Sequence, residues 1–163
     1  MPQNVVSPTE IAKYFLMRAR EDGELITPLK MQKLVYFAYV FYLVAKKGKE
    51  RLFEEKIEAW PAGPVVPTLY RELKKYGSSP IDVENFVDIT EQGFLDKFGP
   101  EVKNILDKTY ENCEKWTAFE LVALSHNEKG WLEARKGLRP EEKSNNVILD
   151  EHILEQHLKQ NLR

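Results

Sequence analysis

Apolar residues recur at helical spacing along most of the chain. The first such segment opens with the capping sequence Ser7-Pro8-Thr9-Glu10 and ends at Asp22-Gly23. The second opens at Thr27-Pro28 and is apolar around nearly its whole circumference as far as Ala45. A helix that is hydrophobic all round is usually buried in the middle of a fold. The pattern therefore predicts a helical protein built around residues 28–45.

The remainder of the chain predicts shorter elements. Helical segments are expected over 67–76, 92–98, 101–111, 118–125 and 129–136, with a last helix capped by Asp150. Residues 57–60 favour a short strand, and the alternation over 86–89 favours a second one. The prolines and glycine of 61–67 predict irregular backbone between them. The expected fold class is mainly α, a single compact helical domain over 1–163 with one or two short β-strands.

Composition and charge narrow the classes of function that the protein can have. The 163 residues carry 24 Lys and Arg against 26 Asp and Glu, a net charge of −2. This balance argues against a dedicated nucleic-acid binder, so no direct DNA binding is expected. The longest apolar run, residues 34–45, is shorter than the roughly 20 residues that a bilayer requires, and no signal peptide is visible. The single cysteine, Cys113, favours a reducing cytoplasm. No membrane association is expected, because the apolar run is too short.

The common catalytic and metal-binding motifs are missing from the sequence. There is no glycine-rich phosphate loop, no H-E-x-x-H and no G-x-S-x-G. The three histidines, His126, His152 and His157, do not have metal-ligand spacing. No cofactor, no metal and no enzymatic activity are expected. A hydrolase-like enzyme using His126 remains an alternative.

The segment 60–67, Trp-Pro-Ala-Gly-Pro-Val-Val-Pro, is unusually stiff because each proline fixes its own φ. A stiff loop loses little entropy on docking, which suits a binding surface. The alternative is a structural plug whose apolar side chains cover the core. The residues themselves leave both interpretations open.

Three segments together resemble a known family. Residues 27–38 are similar to the opening motif T-x-L-K-L-Q-K-L-L-Y-F of the Panacea domain, the SocA-like antitoxin family. Residues 58–70 resemble its second motif, E-A-W-x-x-G-P-V-x-P-x-V-Y, and residues 124–131 its third, L-[ST]-H-x-x-x-x-W. The order and gaps match over about 8–160. Met31 replaces a commoner leucine, and Pro61-Ala62 replace a more usual aromatic or polar pair.

The resemblance implies an antitoxin of a toxin–antitoxin system that binds its cognate toxin directly, a toxin encoded by the adjacent gene. It also implies two alternatives: an adaptor that delivers a toxin to an ATP-dependent protease, or a phage-associated protein. Oligomeric state is left open, since the apolar side of the last helix can pack on the core or on another subunit.

The motif residues divide into two expected groups. The side chains expected to contact the partner are Lys30, Lys33, Trp60, Val65, Val66 and Tyr70. The residues expected to hold the fold are Thr27, Gln32, Gly63, Pro64, His126 and Trp131. The polar residues of the first motif are expected either to cap neighbouring loops or to contact the partner. His126 is expected to make a structural hydrogen bond and Trp131 to pack on the same turn.

Overall fold

The computed structural model describes residues 5–161, with side chains as far as residue 158, and centres on the apolar second helix. This helix, α2, runs Pro28–Ala45 and follows α1, Pro8–Asp22. The N-terminal caps are those expected, because Ser7 forms a complete capping box with Glu10 and the Thr27 side chain accepts a hydrogen bond from the Lys30 amide. Twelve of the 18 residues of α2 are buried, as its all-round apolar surface predicts.

The remaining elements surround α2 on several sides. In chain order they are β1 Glu58–Trp60, β2 Gly63–Val65, α3 Pro67–Leu73 with a 3₁₀ turn Lys74–Tyr76, α4 Val83–Phe86, α5 Glu91–Phe98, α6 Pro100–Cys113, α7 Ala118–Ser125, α8 Lys129–Ala134 and α9 Asp150–Asn161. Helices α1, α3, α6, α7 and α9 all contact α2. The mainly helical fold with one small sheet confirms the predicted fold class.

The strands β1 and β2 form an antiparallel hairpin, which corrects the expectation of irregular backbone over 61–67. Its register pairs Glu58 with Val65 and Ala59 with Pro64. Pro64 fits because the backbone groups of Ala59 point away from it: the Ala59 amide donates to Asn146 O at 2.8 Å. Pro64 thus occupies a position that needs no ladder hydrogen bond, where proline is tolerated.

Two further expectations differ from the structure. Residues 83–86 form the short helix α4, and 87–90 form no strand, because Asp82 accepts a hydrogen bond from the Glu84 amide and so starts a helical turn. Asp150 is the first residue of α9 rather than its cap. Its carboxylate accepts hydrogen bonds from Tyr39 Oη at 2.6 Å and Arg51 Nε at 2.7 Å, so it connects α9 to α2 and the following loop.

One cluster of buried apolar residues extends from Val6 to Ile153. Ile153 is 1% exposed and Leu154 packs against the same cluster, so this part of α9 faces the core. Within residues 5–161, no helix is long and apolar enough to cross a membrane.

Candidate functional site

Helix α2 binds the hairpin and the residue after it through two buried polar side chains, Gln32 and Lys33. The amide of Gln32 pairs with the backbone of Val66, accepting from its N–H at 2.9 Å and donating to its carbonyl at 3.3 Å. The ammonium of Lys33 donates to Pro64 O at 2.9 Å. These contacts cap backbone groups that would otherwise be buried without partners. Gln32 and Lys33 therefore cap the backbone of the neighbouring segment 64–66, which is the first of the two alternatives expected for the polar motif residues.

Lys33 is the most unusual side chain of this contact. It is completely buried, and burial lowers the pKa of its ammonium to about 7. Among the residues whose side chains are described, no carboxylate forms an ion pair with it. Lone buried cations are rare because desolvation penalises the charged form.

The third motif holds the turn of the hairpin from the side. The imidazole of His126 stacks on the indole of Trp131, with ring centroids 4.3 Å apart. Trp131 Nε1 donates to Trp60 O at 2.8 Å, and His126 Nε2 lies 3.0 Å from Pro61 O. A carbonyl oxygen only accepts, so Nε2 carries the proton in this contact. The rings therefore fix two consecutive carbonyls of the turn.

Gly63 is required where the turn meets α2 and α7. Its φ is +110°, and a Cβ there would lie 2.5 Å from Ser125 Oγ and 2.8 Å from Lys33 Cε. The close approach of hairpin to helix thus depends on the missing side chain.

Sequence reasoning missed a third anchor, Arg135. Its buried guanidinium lies 5.5 Å from the ring centroid of Trp131 and donates to Ala59 O at 2.9 Å and Glu142 O at 2.7 Å. The spacing of four residues from Trp131 was the available signal, since it places both residues on one face of a helix.

An apolar groove opens between the hairpin, the start of α2 and α3. It holds about 180 Å³, and its exposed wall consists of apolar atoms. Its lining residues are Pro28, Leu29, Gln32, Trp60, Ala62, Val65, Tyr70, Leu73 and Lys74. Trp60 and Tyr70 form its aromatic side, in edge-to-face contact with centroids 5.0 Å apart.

The six side chains expected to contact a partner are not equally accessible. Tyr70 is 43% exposed and Trp60 is partly exposed. Lys33 and Val66 lie inside, at 0% exposure, so their contact with a partner would require the hairpin to move. Val65 is 5% exposed, and this small surface lines the groove. Lys30 is half-buried, and its ammonium donates to Glu114 O at 2.6 Å, at the C-terminal end of α6.

Possible catalytic groups are placed as follows. Cys113 is buried, and burial raises the pKa of its thiol to about 11, which disfavours the thiolate needed for nucleophilic attack. Glu128 is buried and accepts hydrogen bonds from Tyr36 Oη at 2.7 Å and His157 Nε2 at 2.8 Å, so it links α2 to α9. Among the described residues no group of three or more His, Cys, Asp or Glu side chains is arranged to hold a metal ion.

The fold and this site define a small helical domain that holds a rigid hairpin against a buried central helix. A family model described as "Antitoxin SocA-like, Panacea domain" matches residues 31–132. The chain therefore belongs to the SocA-like antitoxin, Panacea domain family. No curated protein and no solved structure matches it. The family description agrees with an antitoxin role and favours a non-catalytic one.

Proposed function

We propose that this protein neutralises a toxin protein by binding it directly, and that the groove between the hairpin, α2 and α3 is the contact surface. The family assignment supports the antitoxin role. The observation that supports the site is the anchored hairpin, which places Trp60 in edge-to-face contact with Tyr70 of α3 at the edge of an apolar depression. Rigid aromatic side chains beside a pocket are typical of residues that dominate binding energy.

The anchoring matters because binding has an entropic cost. The turn carbonyls of Trp60 and Pro61 are held by Trp131 and His126, and the strand after them is held by Lys33. A surface ordered before binding loses less conformational freedom when a partner docks. This role also accounts for His126 without catalysis, since its protonated Nε2 is engaged with a backbone carbonyl.

The test is co-expression with the protein encoded by the adjacent gene. We expect the neighbour alone to stop growth, the pair to restore it, and the two proteins to co-purify. Tyr70→Ala removes an exposed groove residue and should abolish both rescue and co-purification. Phe119→Ala is the matched control, because Phe119 is an aromatic residue of α7 that is 81% exposed and lies outside the groove.

The other outcomes separate the alternatives. Rescue with loss of the neighbour protein and no complex would instead support an adaptor that delivers it to an ATP-dependent protease. If Phe119→Ala abolishes rescue and Tyr70→Ala does not, the contact surface is on α7 and the proposed site is wrong. A neighbour that is harmless and forms no complex contradicts the proposed pairing.

A further inference from the structure

The charges around the groove are unevenly distributed. Lys74 forms part of the groove wall, four residues after Tyr70 and therefore close to it on the helical surface. Arg71 is exposed and follows Tyr70 directly. Among the described side chains, neither cation has a hydrogen bond or ion pair.

The carboxylates nearby form no ion pair with these cations among the described side chains. Glu72 lies about 200° around the helix from Tyr70, on the side away from the groove. Glu58 accepts a hydrogen bond from Trp60 Nε1 at 2.9 Å and keeps its negative charge, but among the described side chains it forms no ion pair with Lys74 or Arg71. The opposite wall is formed by Pro28 and Leu29, in the first turn of the 18-residue helix α2, where the helix dipole adds positive potential.

The size of the groove limits what it can accept. Its volume of about 180 Å³ is close to the ~150 Å³ of an apolar cavity that binds benzene in another protein. One large aliphatic or aromatic side chain therefore fits. A second large side chain would have to lie on the rim, where the cations are.

We infer that the groove selects partner segments in which one large apolar side chain lies beside a carboxylate. The apolar side chain enters the depression between Trp60 and Tyr70, and the carboxylate lies against Lys74 and Arg71. This inference rests on the proposed function, because it names the chemistry of the partner at the same site. It adds selection by charge to binding by apolar contact.

The test uses a random dodecapeptide library displayed on phage and selected on the immobilised full chain. We expect the enriched peptides to carry a large apolar residue within two positions of Asp or Glu. A synthetic copy of the most enriched peptide should bind Lys74→Glu about tenfold more weakly, since the substitution replaces attraction by repulsion, and raising the salt concentration should weaken its binding to the wild type.

Lys108→Glu provides the matched control. Lys108 is an exposed cation on α6, outside the groove, so the same change in net charge there should leave peptide binding within twofold. Equal losses in the two variants would show that net charge, and not the groove, determines binding, and would overturn the inference.

Two results overturn the inference in different ways. If the enriched peptides lack acidic residues and Lys74→Glu binds them as wild type does, while Tyr70→Ala loses them, charge selection is refuted and the groove remains the binding site. If no enriched peptide distinguishes wild type from Tyr70→Ala, both the inference and the proposed site are contradicted.

Discussion

Replacing Lys33 with methionine tests the burial of its ammonium directly. Methionine has a similar length and no charge, so it fills the same space beneath the hairpin. With a pKa of about 7 in the folded protein and about 10.4 in the unfolded chain, Lys33 binds fewer protons when folded between these pH values. Stability should therefore increase with pH through this range. The penalty that burial of the ammonium imposes on stability is fully present below pH 7 and disappears above about pH 10.4.

The magnitude follows from the two pKa values. Each unit of difference corresponds to about 1.4 kcal/mol, so the full penalty is about 5 kcal/mol. At pH 7 about 4 kcal/mol of this penalty is expressed, and at pH 9.5 about 1 kcal/mol, as the linkage relation requires. The free energy of unfolding of the wild type, relative to Lys33→Met, should therefore rise by about 3 kcal/mol between pH 7 and pH 9.5.

The assay is urea denaturation followed by circular dichroism at pH 7, 8 and 9.5. Titration of all other groups is common to both proteins, so the difference between their curves isolates Lys33. Methionine also leaves Pro64 O without its donor, which lowers the stability of the variant by about 1–3 kcal/mol at every pH and does not change the slope. Lys30→Met is the control: Lys30 also donates to a carbonyl but is only half-buried, and this variant retains Lys33 and hence the wild-type slope.

A wild-type slope in Lys33→Met would refute the reasoning. It would mean that the ammonium is solvated in the folded protein, for example because the hairpin lifts from α2 often enough to admit water. In that case the hairpin would not be the rigid surface on which the proposed function depends.

Two other substitutions test contacts around the site. Gly63→Ala should lower stability by about 3 kcal/mol or more, because it adds backbone strain and a clash with Ser125; Gly77→Ala, at φ +58° with open space around it, should cost only about 1 kcal/mol. Equal melting temperatures for the two variants would contradict the close approach. Glu128→Ala should cost about 3 kcal/mol because it leaves Tyr36 Oη buried without its acceptor; a loss below 1 kcal/mol in urea denaturation would show that water replaces the carboxylate.

Local signals predicted the helices well. The capping boxes at Ser7 and Thr117 fix the starts of α1 and α7, and Gly23, with φ +70°, ends α1 where the sequence indicates. These signals are reliable because each depends on side chains within a few residues. The burial of α2 followed equally directly from its apolar circumference.

The hairpin and the burial of Lys33 could not be predicted from the sequence around them. A proline normally argues against a strand, and Pro64 is tolerated only because Ala59 bonds to Asn146 and Arg135 instead. Those partners lie 76 and more residues further along the chain. A lysine in a helix is normally exposed, and Lys33 is covered only because Gly63 allows the hairpin to approach. Both features depend on contacts between distant segments, which periodicity cannot reveal.

The motif residues therefore fix the hairpin, whereas the exposed groove residues form the surface that is proposed to contact a partner. Gln32, Lys33 and Gly63 are buried and fix the hairpin. Lys33 and Gly63 do not line the groove, and Gln32, at 4% exposure, supplies only a small part of its wall. Tyr70 is exposed and Lys74 lines the groove, so under the proposed function we expect changes at such positions to alter the choice of partner without altering the anchor. Ala62 lies in the same wall and is one of the two turn residues that depart from the family pattern. A domain built in this way can keep its fold while its exposed groove residues change, which suits a protein that must match one particular partner.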